Sequence, residues 1–352
     1  AKQQLDIGGL MWANEYEDAT KPGRTRVPLI DLPLTSQLKF AAAPATRFLD
    51  DHLPGVSTVV KEYLDWIGGL PRAVQPAEVR SPAWAALGHA IDFRLRLSLG
   101  CGLGRSVAAG VAAFGGGRAV RGAPASVAAR DAVFRCGQEL LSAVGRGGLT
   151  GGAADGVAGG PTGGPGPAPS ADLARLCFVA AGYEDVYRSG EVRRGSMLAS
   201  VTHVTRLGDL LRAVPDYAVG DIERQLALSA PVFGEFRALP RSAVTCGPVF
   251  EGSADIGGAD ADFVAGGLLL DCKATTEPRR LGADEIYQLA GYLLLDYEDE
   301  FGIRSVGLYL SRQGAVVRWD VPKFLSLLGA RESLPDLRAG LRSYLREWRA
   351  HG

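Results

Sequence analysis

At 352 residues the chain has room for one large domain or two ordinary ones, and either would bury a sizeable core. Its 47% hydrophobic and 22% charged residues are those of a soluble globular protein, and a formal net charge of −1 excludes a surface that is basic throughout, though not a local basic groove. Five scattered cysteines without a C-x-x-C pair indicate neither zinc nor a disulfide framework, so they are expected as reduced core residues of a cytoplasmic protein. No signal pattern opens the sequence, and no apolar run reaches the roughly 18 residues of a membrane span.

Residues 1–34 read as irregular, punctuated by Pro22, Gly23, Pro28 and Pro33, with Trp12 and Tyr16 packing as an arm. A helix is expected to start at Leu34–Leu38, capped by Thr35 or Ser36. A second spans 56–70, with Val59, Val60, Tyr63, Leu64 and Ile67 at helical spacing. After a proline-rich stretch, Trp84–Leu97 is a third helix, carrying His89 and Asp92. Between Phe93 and Arg146, eight arginines face only Asp131 and Glu139, which makes a candidate phosphate-facing wall. Gly145–Pro169 is glycine and proline of low complexity, expected as a flexible insertion because its few side chains cannot offset the entropy of ordering. Helical patterns resume at 171–182, 207–214 and 217–229, the last with Glu223, and 233–252 reads as strand-rich.

The chemistry gathers in Gly258–Tyr292. Asp262-Phe263-Val264 leads into a turn at Ala265-Gly266-Gly267, and Leu268–Lys273 follows as a buried strand. Alternation puts Asp271 and Lys273 on one face, with Leu270 and Cys272 on the other. Charges on so apolar a strand are costly to bury without a task. The hairpin brings Asp262 beside Asp271, with Asp260 on the same face as a substitute. Two adjacent carboxylates repel, and hard oxygen donors suit Mg2+ or Mn2+. In the helix that follows, Asp284 and Glu285 fall in the first turn, while Gln288 and Tyr292, four apart, share a face. Lysine is scarce here, only six among 38 cationic residues, so Lys273 within LLLDCKAT stands out. A lysine, unlike arginine, can shift its pKa and move a proton.

Asp, a hairpin, Asp-x-Lys and then Gln-x-x-x-Tyr resembles the PD-(D/E)xK nuclease superfamily, and the Gln-Leu-Ala-Gly-Tyr run resembles its RecB-like branch. The resemblance implies that Asp262 and Asp271 bind the metal, aided by the Cys272 carbonyl. It also implies that Lys273 orients or activates the attacking water, and that Gln288 and Tyr292 support the site and the DNA. Ser36-Gln37-Leu38 through Pro44–Phe48 resembles the S-x-L…C-P-x-x-F opening of such domains, with Ala43 in place of cysteine. Gly88-x-x-x-Asp92 matches the family's G-x-x-x-H helix with aspartate for histidine, which makes Asp92 the implied third ligand, with His89 and Glu223 as rivals.

Past this helix, Asp296–Glu300 is expected as a solvated acidic end, 306–310 and 315–319 as strands joined near Gln313-Gly314, and 324–328 and 337–348 as closing helices with Arg338, Arg342, Arg346 and Arg349 on the polar side. The expected fold is α/β: a small mixed central sheet flanked by helices, a restriction-endonuclease-like core with helical additions. It is expected as one unit, with an N-terminal helical half over residues 1–144 and a C-terminal half over residues 170–352 that holds the core at about 230–320. The expected function is Mg2+- or Mn2+-dependent hydrolysis of DNA phosphodiesters without membrane contact. The alternative is a non-catalytic nucleic-acid-binding or scaffold protein on an inherited nuclease fold.

Overall fold

The computed structural model describes residues 27–77, 81–115, 120–147 and 170–351, side chains excepted at 146, 147 and 170. Trp12, Tyr16, Arg118 and nearly all of the Gly145–Pro169 segment lie outside the described residues. The described chain is mixed α/β, with thirteen α-helices and one five-stranded sheet. It divides into two compact units. Of the described residues, one unit holds 27–73, 238–310 and 315–351, and the other holds those between 74 and 237 together with 311–314. The boundaries between the units fall at 73/74 and 237/238, and residues 27–73 group with the C-terminal third.

The first unit opens with helix α1 (Leu34–Gln37), α2 (Pro44–His52) and α3 (Val56–Ile67). The expected Thr35 or Ser36 cap is not used: Pro33 occupies that position without a side-chain cap, and the helix stops after four residues. Gln37 holds the break instead. Its buried amide donates to the Leu32 carbonyl at 2.9 Å and accepts from the Ala45 N–H at 3.0 Å, joining α1 to the first turn of α2. Pro44 begins α2 at a position where a missing N–H costs nothing. Helix α3 buries Val59, Tyr63 and Ile67, as its spacing predicts.

The second unit is helical. Its elements are α4 (Trp84–Ser98), α5 (Arg105–Gly115), α6 (Val127–Gly147), α7 (Ser170–Ser189), α8 (Leu207–Ala213), α9 (Asp216–Leu228) and α10 (Ala230–Arg237). Helix α7 is the central member and packs on α4, α5, α6 and α9. Residues 233–237, expected within a strand-rich stretch, are helical as part of α10 because Phe233 and Phe236 sit at helical spacing and bury on one side.

The chain then returns to the first unit for its sheet, in the order β1 (Val244–Cys246), β2 (Phe263–Ala265), β3 (Leu268–Lys273), β4 (Ser305–Leu310) and β5 (Ala315–Asp320). All pairs are antiparallel except β3 with β4. That parallel pair needs a crossover, which α11 (Ala283–Leu295) supplies. Helices α12 (Val321–Leu327) and α13 (Leu334–His351) complete the unit. Leu269 of β3, Val306, Leu308 and Leu310 of β4 and the whole inner side of α11 share one hydrophobic core with α1–α3 and α13. The 31–34 segment approaches the strand lead-in closely at Gly257, where a Cβ would fall 1.9 Å from the Asp31 carbonyl oxygen. Leu34 N–H donates to the Gly258 carbonyl at 2.9 Å beside it.

Two expectations about the C-terminal third are corrected. Asp296 is buried rather than solvated, because Arg338 from α13 reaches it at 3.3 Å. Arg338 is correspondingly inside, also donating to the Leu293 carbonyl at 3.1 Å and pairing with Asp299 at 2.9 Å. Cys136, Cys177 and Cys272 are free thiols, as expected of them, whereas Cys101 and Cys246 are disulfide-bonded, which corrects the expectation that all five are reduced. Among the described residues no helix is long and apolar enough to cross a membrane.

Candidate active site

The hairpin forms as the sequence predicts. Gly266 and Gly267 take φ of 58° and 81°, so both central residues of a two-residue turn are left-handed. That is the turn whose twist matches the flanking strands. Ala265 pairs with Leu268, and the register runs back to Phe263 opposite Leu270. One residue before β2, the Asp262 carboxylate accepts the Cys272 N–H at 2.7 Å, which fixes it beside the strand that carries Asp271 and Lys273.

Asp271 and Lys273 project from β3 toward α11 and meet Gln288 there. Lys273 Nζ donates to Gln288 Oε1 at 2.8 Å and lies 2.9 Å from Asp271 Oδ2. Gln288 Nε2 donates to Asp271 Oδ1 at 3.0 Å and to the Tyr292 hydroxyl oxygen at 2.8 Å. Tyr292 donates its own proton to the Asp260 carbonyl at 2.9 Å. The amide orientation of Gln288 follows from this network, since only one assignment puts an acceptor on the ammonium and a donor on the carboxylate. At the start of α11, Glu285 accepts the Gly282 N–H at 2.7 Å and so closes the first turn.

The electrostatics follow from burial and charge. Asp271 is 4% exposed, and burial pushes its carboxyl up to about 6. Lys273 opposes that shift and the neighbouring Asp262 charge adds to it. Burial pulls the Lys273 ammonium down, but the charges of Asp271 and Glu285 outweigh it and leave its pKa raised. Lys273 is therefore held as a cation. Asp271 Oδ2 is held by the Lys273 ammonium at 2.9 Å.

All six thus stand in the first unit: Asp262 just before β2, Asp271, Cys272 and Lys273 at the end of β3, and Gln288 and Tyr292 on one face of α11. Asp92, His89 and Glu223 belong to the second unit. There Asp92 pairs with Arg96 at 2.8 Å, His89 with Glu184 at 3.1 Å, and Glu223 with Arg94 at 3.3 Å. Among the described residues no group of three or more His, Cys, Asp or Glu side chains is gathered for a metal. The donor set of the first unit is two carboxylates, one with a buried oxygen held only by an ammonium. Such a pair fits Mg2+ or Mn2+, which accept few protein oxygens and keep water in the remaining positions.

The expected arginine wall is corrected in part. Arg94, Arg96 and Arg121 each pair with a carboxylate, and Glu223 and Glu191 lie outside the sequence window that made the charge seem lopsided. The component of the site that sequence reasoning missed is the Asp260 carbonyl, the acceptor on which the Tyr292 hydroxyl ends. Alternation places Asp260 on the right face, but nothing in a sequence marks a backbone carbonyl as the partner. Comparison of the chain with protein-family models, with curated proteins and with solved structures returns no match in any of the three.

Proposed function

We propose that this protein is a Mg2+- or Mn2+-dependent nuclease that hydrolyses DNA phosphodiester bonds, built on a core resembling the RecB-like PD-(D/E)xK nucleases. The observation that carries the proposal is the closed Lys273–Gln288–Asp271 circuit, anchored through Tyr292. A buried carboxylate, a buried amide and an ammonium cost several kcal/mol to desolvate, and at the end of the central strand of a small sheet that expense is common at catalytic sites.

Asp262 and Asp271 would hold the cation, with the Cys272 carbonyl beside them as the resemblance implies. Such an ion polarises a phosphoryl oxygen and lowers the pKa of water. Lys273 contributes a positive charge at a fixed position, where negative charge grows on the attacked phosphate. Gln288 keeps that ammonium and the Asp271 carboxylate at a set separation. Tyr292 keeps Gln288 from rotating, because its hydroxyl is itself tied to the Asp260 carbonyl.

The test is incubation of linear and circular DNA with Mg2+ or Mn2+, beside the Asp271→Asn and Lys273→Ala proteins. Cleavage by the wild type and loss of about 100-fold or more in each folded variant is expected for groups acting on the developing charge. Equal cleavage by all three sinks the assignment. The second reading is a non-catalytic nucleic-acid-binding or scaffold protein. The Lys273–Asp271 ion pair favours it, since the ammonium neutralises the carboxylate without a metal ion. Calorimetry with Mn2+ separates the two: heat of binding lost in Asp262→Asn supports the nuclease, and none at millimolar Mn2+ supports the scaffold.

A further inference from the structure

Most guanidinium groups of the helical unit are neutralised. Arg94, Arg96, Arg121, Arg175, Arg188 and Arg193 each lie within 4 Å of a carboxylate. Arg135 on α6 and Arg206 just before α8 form no ion pair with a described residue, and both line a single cavity of about 450 Å3. His203 is the third nitrogen-bearing group on its wall, and Glu139 is the one carboxylate. A second cavity of about 470 Å3 continues along α6, sharing Arg135 and Glu139 and adding Gln138, Ser142 and Leu207.

The wall is built before any ligand arrives. Thr202 N–H donates to Thr205 Oγ1 at 2.9 Å, and Thr205 N–H returns to the Thr202 carbonyl at 3.1 Å, so the 202–205 segment is a closed turn. Cys136 Sγ reaches the Thr205 carbonyl at 3.7 Å and ties that turn to α6. Burial pushes this thiol up to about 11, which keeps it a neutral donor rather than a nucleophile. The Arg206 N–H donates to Asp209 Oδ2 at 2.9 Å, fixing the backbone from which its guanidinium projects. A fixed backbone carrying two forked cations spends less entropy on capture than a loose one.

We propose that the Arg135–Arg206–His203 cavity is a binding site for a phosphoryl group, with the rest of the phosphorylated ligand lying in the adjoining cavity along α6. Planar guanidinium forks match phosphate oxygens two at a time, and the volume of each cavity is in the range of small-molecule sites. Glu139 favours a phosphate that still carries a proton, to which it is an acceptor. The site is independent of the carboxylate–lysine circuit, since none of its residues lies in the first unit.

The phosphoryl group has two sources, a small phosphomonoester or the backbone of a nucleic acid, and the experiment has an arm for each. The full chain, free of divalent cations, is titrated by calorimetry with inorganic phosphate, adenosine 5′-monophosphate and a short oligonucleotide lacking terminal phosphate. Arg135→Gln and Arg206→Gln are each expected to weaken binding about tenfold, as for one charge-assisted contact, and the double variant to remove it. Both side chains are exposed, and unchanged circular dichroism confirms that the variants fold. Loss in the phosphate and monophosphate arms assigns the site to a small ligand; loss confined to the oligonucleotide assigns it to a strand. No binding by the wild type in any arm, or equal binding by the folded double variant, overturns the proposal.

Discussion

Gln288 is the residue on which the first unit's polar centre depends, because one amide serves an ammonium, a carboxylate and a phenol. Replacing it by leucine leaves a buried carboxylate and a half-buried ammonium without two of their contacts, so Gln288→Leu is expected to cost about 2–3 kcal/mol in urea unfolding. Tyr292→Phe removes only the outer anchor and is expected to cost about 1 kcal/mol. A Gln288→Leu protein as stable as the wild type would show that the amide carries no share of this circuit. In the second unit Glu184 offers a test by pH. Burial pushes its carboxyl up, but His89 and Arg188 together outweigh burial and hold it well below the usual range. Its folded-state pKa is thus lower than its unfolded value of about 4.3, so the stability it contributes is full above that value and lost as the pH falls below it. Thermal melts should show Tm falling between about pH 5 and pH 3, with a shallower slope in Glu184→Gln.

Among the elements, the β2–β3 hairpin sets the position of both carboxylates, and its turn is the most sensitive point. Asparagine tolerates left-handed backbone, so Gly266→Asn is expected to stay within about 0.5 kcal/mol of the wild type. Gly267→Val puts a β-branched side chain at φ 81°, with its Cβ 3.0 Å from the Arg304 guanidinium carbon, and should cost about 2 kcal/mol. Equal unfolding midpoints for the two variants would show that the turn does not impose this geometry. Helix α11 is the counterpart on the other side. In its ten-residue buried run from Ile286 to Leu295 the polar side chains are Tyr287, which donates to the Leu53 carbonyl at 3.2 Å, and the Gln288–Tyr292 pair, whose network reaches the strand charges.

At the scale of the molecule, the chain assembles each unit from segments far apart in sequence. In the helical unit, Arg312 and Asp221 are both fully buried and meet through two parallel hydrogen bonds of 2.9 Å. Gln225 donates to the same carboxylate at 2.8 Å and accepts from Ser311 at 2.7 Å, and Arg312 also donates to the Val74 carbonyl at 3.0 Å. Every polar group of this cluster is answered, so breaking it from one side is costly. Asp221→Asn is expected to destabilise by about 3–5 kcal/mol, whereas a paired Asp221→Leu, Arg312→Met change should cost much less because no charge is stranded. Helical circular dichroism followed through urea unfolding reads the difference; similar losses in both proteins would mean that packing, not charge, holds the cluster.

Local pattern was enough for the elements that carry the candidate chemistry. Two adjacent glycines after a β-rich triplet dictate the hairpin, strand alternation puts Asp271 and Lys273 on one face, and helical spacing puts Gln288 four before Tyr292. The final pair of strands, with their turn near Gln313, followed from the same alternation. What local pattern could not decide is who answers whom across the chain. A window from 93 to 146 counts arginines but omits Glu191 and Glu223, which pair with two of them. A run such as Asp296–Glu300 reads as solvent-exposed until Arg338, some forty residues later, buries its first member. The grouping of residues 27–73 with the sheet, and of 311–314 with the helices, is of the same kind. Periodicity is set by backbone geometry within a few residues, so the sequence states it directly. Ion pairs and unit boundaries are set by which distant segments bury each other's polar groups, and only the folded chain decides that.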